Sequence, residues 1–420
     1  ALRREIAARG LLDEVQLTTC GSLGLCERGP NMVVYPEGVW YSGVAPADVP
    51  EIVESHFRGG KPVERLVTRD PHALAAEIRA NRDRALAAIR AREAAGMLPE
   101  DLMRMIRSYQ ESRIVLTAIE LDVFTAAGSG STAPEIGKKI RADARATELL
   151  LDALVALRLL GKSGGRYSAT PVTERFLSAR GERDARAAMR HQSSLWPRWA
   201  RLTECVRTGT AVDYKEMSDR GDEWTQPFIA AMHLNAGERA RVVIPAVGPA
   251  GIRKMLDVGG GSGAYSIAFA KASPDLRAEI FDLETVLPIT RRHIEEAGLS
   301  DRVTTRAGDL RIDSFGSGFD LVLLSAICHA FDEAENRDLV RRCHEALAAG
   351  GRLVIQDFIL DEDRTSPRMA ALFSINMLVG TPGGRSYSES EYAEWMKAAG
   401  FAEVRRVPLP GMTDLVIGRR

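Results

Sequence analysis

Residues 255–266, MLDVGGGSGAYS, decide the fold. A short apolar run ends in Asp257-Val258, four glycines follow within five positions, and AYSIAFAKA (264–272) then continues with helical character. That order is strand, tight turn, helix. Downstream, AEIFDL (278–283), VLPITRRHIEEAG (286–298), VTTRAGDL (303–310), FDLVLLSAI (319–327), RDLVRRCHEALAAGG (337–351) and RLVIQDFIL (352–360) repeat the strand–helix alternation. Such βαβ alternation predicts an α/β, doubly wound, Rossmann-like parallel sheet that binds its ligand past the carboxyl ends of the strands. Glycines in the first turn let the backbone come close to that ligand, because no Cβ fills the space. The loop alone is ambiguous, since Gly259, Gly261 and Ala264 also fit a dinucleotide fingerprint. Asp282 ends the second strand, 19 residues past Gly263, where a carboxylate can accept hydrogen bonds from both hydroxyls of a ribose.

Around this core, 420 residues leave room for further domains. No apolar run approaches the 18 or so residues of a membrane span, so no membrane partner is expected. A formal net charge of −1, from 56 basic and 57 acidic residues, supplies no field to hold a polyanion. Nucleic acid is therefore not an expected partner, and a small molecule is. Five irregularly spaced cysteines make no disulfide framework, and no cleavable leader is recognised ahead of the first domain, which predicts a cytoplasmic location. The opening ALRREIAARGLL begins in mid-pattern as an amphipathic helix, and the natural start is expected upstream of Ala1.

Residues 1–67 alternate helix and strand signals: the opening helix, a strand VQLTT (15–19), and NMVVYPEGVWYSGV (31–44). In the last of these, Pro36-Glu37-Gly38 turns between two β-rich runs and predicts a hairpin, followed by a helix over ADVPEIVESHF (47–57). The Ala- and Arg-rich segment 68–100 reads as a solvated helical linker. Residues 101–190 read as a winged helix, with Pro134 opening EIGKKI and a glycine turn between short strands closing it. Too few basic residues lie on its second helix, 134–140, to make a DNA footprint. Residues 191–420 form the last domain, beginning with helices that carry WPRWARL and FIAAMHLNA.

Taken in order, LDVGGGSGA, FDL, AGDL, ICHAF (327–331) and AAGGRLVIQDFIL resemble the class I S-adenosylmethionine (SAM)-dependent methyltransferase fold. More narrowly they resemble the caffeate and acetylserotonin O-methyltransferase family, over about 101–420 and including that family's helical dimerisation region. FAEVRRVPLPGMTDLVIGRR, at the chain's end, is similar to the fold's antiparallel terminal hairpin. The resemblance implies SAM as cofactor, a homodimer, and methyl transfer to a hydroxyl of a small aromatic acceptor. It implies that Asp257, Gly259, Gly261 and Gly263 line the methionine end of the donor, that Asp282 holds the ribose, and that Asp309 and Leu310 lie beside the adenine. Asp257 is further expected to fix the glycine loop by accepting hydrogen bonds. Because the sulfonium charge of SAM vanishes on transfer, a strong anionic trap beside the sulfur would favour the ground state. The pocket is expected to grip the cofactor's ends and leave the methyl in apolar surroundings.

ICHAF matches the place where plant members of the family carry ICHDW, whose histidine is the general base, and this puts His329 in that role. Ala330 stands where the family usually has Asp, and Ser386 where the plant enzymes have a second catalytic-site Glu. Asp357, in IQDFIL, matches the first such Glu and is expected to hold the imidazole's other nitrogen in the needed tautomer. The bland alternative is a strand-end carboxylate capping a loop. Met377 matches a methionine that sandwiches the acceptor's ring, although by sequence pattern alone it is a core residue. Cys328 reads as a small buried hydrophobe, and neither Cys205 nor Cys343 has a partner at ligand spacing, so no metal site is expected. Methyl transfer to N, S or C, and a non-catalytic nucleotide-binding protein, remain as alternatives.

The run TTCGSLGLCERGPNMVVYPEGVWYSGVAPADVPEIVESHFRGGKPVERLV resembles thioredoxin-like [2Fe-2S] ferredoxins, a likeness that covers about 1–67. Cys20 and Cys26 stand as C-x5-C, and Ser22 sits where many members have a cysteine. That family draws its other two thiolates from an earlier strand-loop that this sequence lacks, and a cluster needs four ligands. The segment therefore reads as a partial thioredoxin-like domain, with no [2Fe-2S] cluster expected in this chain and two more cysteines expected upstream.

Overall fold

A computed structural model of the protein describes residues 2–11, 14–15, 17, 30–68, 76–81, 83–84, 87, 91 and 99–420. The loop bearing Cys20 and Cys26, most of the expected strand 15–19 and much of the expected linker 68–100 lie outside the described residues. The chain divides into two compact units, Ala1–Tyr109 and Gln110–Arg420.

In the first unit, α1 (Leu2–Ala8) precedes an antiparallel hairpin, β1 (Met32–Val34) and β2 (Val39–Tyr41), with Met32 opposite Tyr41 and Val34 opposite Val39. Pro36-Glu37-Gly38 makes the turn, as the sequence predicts. The helix expected at 47–57 is a composite: a 3-10 turn at Pro46–Asp48, then α2 (Val49–Ile52), then a wider turn over Val53–Arg58. Tyr41 is fully buried, and its hydroxyl accepts the Val63 N–H at 3.0 Å and lies 2.8 Å from His56 Nδ1, so the phenol is not left unpaired.

The second unit opens with helices and a small sheet. α3 (Glu100–Glu120), which crosses the unit boundary, is followed by α4 (Val123–Ala127), β3 (Ser131–Thr132), α5 (Ala133–Ile140), α6 (Ala144–Ala156), β4 (Leu160–Ser163), β5 (Arg166–Ala169) and α7 (Pro171–Leu177). The strands pair antiparallel in the order β3-β5-β4, the wing of a winged helix. A capping box starts α5, with the Thr132 N–H donating to Glu135 Oε2 at 2.7 Å, and Phe124, Ile136, Leu151 and Tyr167 fill the core beneath.

Three helices, α8 (Arg186–Trp199), α9 (Leu202–Thr208) and α10 (Asp222–Val247), lead to the large sheet. Its elements are β6 (Lys254–Val258), α11 (Ala264–Ala272), β7 (Arg277–Asp282), α12 (Leu287–Glu296), β8 (Val303–Ala307), β9 (Phe319–Ser325), α13 (Glu333–Ala346), β10 (Leu347–Asp357), α14 (Arg368–Gly380), α15 (Glu389–Ala398), β11 (Ala402–Val407) and β12 (Asp414–Arg419). The strand order is β11-β12-β10-β9-β6-β7-β8, parallel from β6 to β10 and antiparallel at β11 and β12, so the terminal hairpin forms as expected. Successive strand residues face opposite layers. Leu256, Val258, Val322 and Leu324 pack with Leu339, Val340, Trp395 and Met396, while Met255, Leu321, Leu323 and Val354 pack with Val243, Phe269 and Ile294. One boundary differs from the sequence pattern: LAAGG extends β10 rather than ending α13, because buried Leu347 already pairs with Phe319 and the register shifts before Arg352. The chain runs from β6 outward through β7 and β8, then returns to β6's other edge as β9. The carboxyl ends of β6 and β9 therefore form the switch point at which such sheets bind ligands.

Candidate active site

The glycine loop leaves β6 at this switch point. Gly259 donates its N–H to Phe281 O at 2.7 Å and has φ +67°, and a Cβ there would run into Ile327 Cδ1 from the loop after β9. At Gly263, φ is +77° and a Cβ would stand 2.7 Å from Ile280 Cδ1, so both positions require glycine for backbone shape and for space. Asp282, at the end of β7, accepts the Gly261 N–H on Oδ2 and the Leu283 N–H on Oδ1, each at 2.7 Å. Thr290 on α12 donates to Gly261 O at 2.5 Å. Asp257 does not fix the loop as expected: it is almost fully buried, Oδ2 accepts the Ser266 hydroxyl at 2.7 Å, and Oδ1 has no partner. Its carboxyl packs beneath Gly260, where an added Cβ would stand 2.8 Å from Cγ, and turns to Ser266 on α11, while Asp282 holds Gly261. Burial pushes the carboxyls of both Asp257 and Asp282 up to about 6.

After β8, Asp309 and Leu310 follow Gly308, whose N–H donates to Asp282 O at 3.0 Å. Leu310 is half-buried, with Cδ2 beside Gly259. Asp309 is engaged by Arg311, Nη2 to Oδ2 at 2.8 Å, which holds its carboxyl below the usual range.

His329 sits on a single 3-10 turn, Cys328–Ala330, just past β9. Ala326 bends the chain there with φ +56°, a left-handed conformation that costs a non-glycine residue energy. The bend lays the imidazole over the end of β10, where Asp357 is completely buried. His329 Nδ1 lies 2.6 Å from Asp357 Oδ1, the His329 N–H donates to Oδ2 at 3.2 Å, and the Phe358 N–H donates to Oδ1 at 2.8 Å. Phe373 meets the imidazole edge-on at 4.8 Å and stacks on Phe358 at 3.9 Å, which makes an apolar wall beside it. Met377 is buried on α14, one turn beyond Phe373. Ser386 turns away, its hydroxyl donating to Ala370 O at 2.8 Å. Cys328 is fully buried and desolvation raises its thiol well above the ordinary value, so a thiolate is disfavoured.

Residues that sequence reading misses hold this loop. Asn336 donates from Nδ2 to Cys328 O at 2.9 Å and to Phe331 O at 3.2 Å, and the Tyr387 hydroxyl donates to Phe331 O at 2.6 Å. One signal was available for the first: Asp332 and Glu335 form a capping box, with Asp332 N–H to Oε2 and Glu335 N–H to Oδ1 both 2.9 Å, which fixes where α13 starts and hence which way Asn336 points. Among the described residues no group of three or more His, Cys, Asp or Glu side chains could hold a metal ion, and no helix is long and apolar enough to cross a membrane.

Residues 199–402 match the model of the O-methyltransferase domain, and residues 103–179 that of the O-methyltransferase dimerisation domain. The chain is 36% identical to the 3-hydroxy-5-methyl-1-naphthoate 3-O-methyltransferase of Streptomyces sahachiroi, over 73% of this chain and 91% of that one. It is 31% identical to the tetracenomycin polyketide synthesis 8-O-methyltransferase TcmO of Streptomyces glaucescens, over 77% of this chain and 97% of that one. The solved structure of PigF with SAH, a Serratia methyltransferase, is similar with a TM-score of 0.72 and 25% identity, over 77% of this chain and 100% of that one. With a Rossmann-like sheet, a glycine loop at its switch point and these relatives, the chain belongs to the family of S-adenosylmethionine-dependent O-methyltransferases.

Proposed function

We propose that this enzyme methylates a hydroxyl of a small aromatic acceptor, with His329 as general base and Asp357 as the residue that orients it. The observation that carries the reading is the 2.6 Å contact between His329 Nδ1 and Asp357 Oδ1, made beside an apolar aromatic wall at the switch point. With Nδ1–H donated to Asp357, Nε2 keeps the lone pair that takes the acceptor's proton. Phe358, Phe373 and Met377 offer a flat apolar surface for a ring. The aromatic character of the acceptor is carried over from the two relatives, named for a hydroxynaphthoate and for a tetracenomycin polyketide.

The residues at the switch point suit SAM. Asp282 uses one lone pair of each oxygen on a backbone amide, which leaves acceptor capacity for two ribose hydroxyls. Asp257 Oδ1 is a buried acceptor without a partner, and the glycine loop above it carries no Cβ to fill the cradle. In this reading Asp257, Gly259, Gly261 and Gly263 hold the methionine end, Asp282 the ribose, and Asp309 with Leu310 the adenine side. Bound SAM supplies a methyl group made electrophilic by a sulfonium sulfur. The protein's part is to align the hydroxyl, keep water out with the Phe358–Phe373 wall, and remove the proton.

We also infer a homodimer built on the dimerisation domain. Leu102, Met105, Ile106 and Tyr109 are exposed at helical spacing along α3, an apolar stripe of the kind that a second copy covers. The deciding experiment incubates the protein with SAM and a panel of phenols, hydroxynaphthoates, amines and thiols, and identifies products by mass spectrometry. O-methylated products support the reading. Turnover confined to nitrogen, sulfur or carbon acceptors overturns it.

A further inference from the structure

One arginine beside α14 has neither a counter-charge nor a hydrogen-bond acceptor. Arg198, at the end of α8, is half-buried, and among the described residues its guanidinium has neither a hydrogen-bond acceptor nor a carboxylate beside it, the titratable group that faces it being the Tyr214 phenol. Its neighbours are engaged: Arg186 with Asp122 and Asp184 (2.8 Å each), Arg201 with Glu204 (2.7 Å) and Asp213, and Arg220 with Lys215 O (2.7 Å). Arg198 lies 5.6 Å from the Trp224 ring centre, which Arg220 also faces at 4.2 Å, and the indole N–H of Trp224 is buried with no acceptor. Trp224 stacks on Phe228 at 4.7 Å, and His191 meets the two rings edge-on at 6.0 and 5.2 Å. Burial, and then the Arg198 charge, lower the His191 imidazole to about 4, so it is neutral and supplies no competing charge. Taking a cation partly out of water costs free energy unless an anion meets it.

Helix α14 relates this cluster to His329. Phe373, Met377 and Gly380 stand at i, i+4 and i+7 and share one face. Phe373 touches the His329 ring at one end of that face, and a Cβ added to Gly380 at the other end would lie 3.8 Å from Arg198 Nη1. The Trp199 indole N–H donates to Asn376 Oδ1 at 3.1 Å and ties α8 to the same helix. Seven residues of helix span roughly 10 Å, about the length of two fused aromatic rings with a substituent at each end.

We propose that Arg198, with the unmatched Trp224 N–H beside it, recognises an anion at the far end of the acceptor groove, so that the enzyme selects a flat acceptor of two or more rings bearing a carboxylate remote from the hydroxyl that is methylated. The inference rests on His329 marking the methyl-transfer end.

The test titrates the full chain, loaded with S-adenosylhomocysteine, with two probes that differ in the carboxylate: 6-hydroxy-2-naphthoate and 2-naphthol. The wild type is expected to bind the acid at least about tenfold more tightly, as a charge-assisted pair provides about 10- to 100-fold. Arg198→Met should abolish most of that preference and Arg198→Lys should keep part of it. Affinity for S-adenosylhomocysteine within about twofold of wild type certifies the fold of each variant. Equal binding of the two probes by the wild type, or a preference that survives in Arg198→Met, overturns the proposal. Adding SAM separates the two readings: carboxylate-dependent binding without O-methylation keeps the anion site and rejects the hydroxyl-transfer reading. O-methylation of both probes without a carboxylate preference rejects the anion site alone.

Discussion

His329 and Asp357, at the ends of two neighbouring parallel strands, meet with Nδ1 2.6 Å from Oδ1. The carboxylate also accepts the N–H groups of His329 and Phe358, so it cannot rotate away without leaving buried amides unpaired. That geometry favours the tautomer with a proton on Nδ1 and a free lone pair on Nε2.

Replacing the histidine tests the base. An unperturbed phenol has a pKa near ~10, so at neutral pH most of an ordinary acceptor is protonated. His329→Ala should lower turnover by roughly 10²–10⁴-fold, about 3–5 kcal/mol of barrier, with little change in SAM affinity. Assayed from pH 6 to 10, the variant's rate should climb toward that of the wild type as the acceptor ionises unaided. Equal turnover for the two proteins at neutral pH would remove His329 from the chemistry.

Asp357→Asn should lower kcat by roughly 10- to 100-fold with a small effect on KM, because an amide can present N–H to Nδ1 and favour the wrong tautomer. Asp357→Glu, the residue type of the resembling plant enzymes at this position, should recover part of the rate. A loss of thermal stability with kcat unmoved would make Asp357 a loop cap and nothing more.

The glycine loop, Asp282, the His329 turn and the terminal hairpin were legible because each is written within one short segment: strand period, glycine punctuation, or a short ordered motif. What joins distant segments was not. Ala326 carries a left-handed φ that an alanine does not advertise, and Tyr387 reaches Phe331 O from another segment. Asp257 shows the limit inside a motif, since its residue type predicts an acceptor but only the fold shows that Ser266 is its donor. Arg198 lies within WPRWARL, which the sequence marks only as helical, and its approach to Gly380 on α14 exists only in the fold.

Light scattering should give a particle of about twice the 45.9 kDa chain. The exposed stripe on α3 supplies the contrast: Ile106→Asp with Tyr109→Asp places two charges where apolar surface would be covered, and desolvating unpaired carboxylates opposes association. The double variant should run as a monomer with its catalytic domain folded. A wild-type monomer at micromolar concentration, or a double variant that stays dimeric, would rule out this stripe as the interface.

The buried carboxylates of Asp257 and Asp282, proposed above to hold SAM, link binding, stability and pH. Asp257 and Asp282 each titrate at about 6 in the folded protein, against an ordinary 3.8, because burial disfavours their charge. A folded-state value above the unfolded one means that folding takes up protons between the two. The stability these groups contribute is fully present below about pH 4 and is lost as pH rises through about 6, by at most about 3 kcal/mol for each group, from a shift of roughly two units. At pH 7.5 the ligand-free protein bears that cost in full. Asp282→Asn should therefore melt at least roughly 2 °C higher than wild type without ligand at pH 7.5, even though the amide replaces only one of the two acceptors now facing Gly261 and Leu283. Its SAM affinity should nonetheless fall by about 1–3 kcal/mol, because the ribose hydroxyls lose an anionic acceptor. For the wild type, SAM binding should weaken below about pH 6 as the carboxyl takes its proton, and the Asn variant should lack most of that limb. Calorimetry between pH 5 and 8, beside melting curves with and without SAM, measures both. SAM affinity that is flat across that range, or undiminished in Asp282→Asn, would show that the ribose hydroxyls find their acceptor elsewhere.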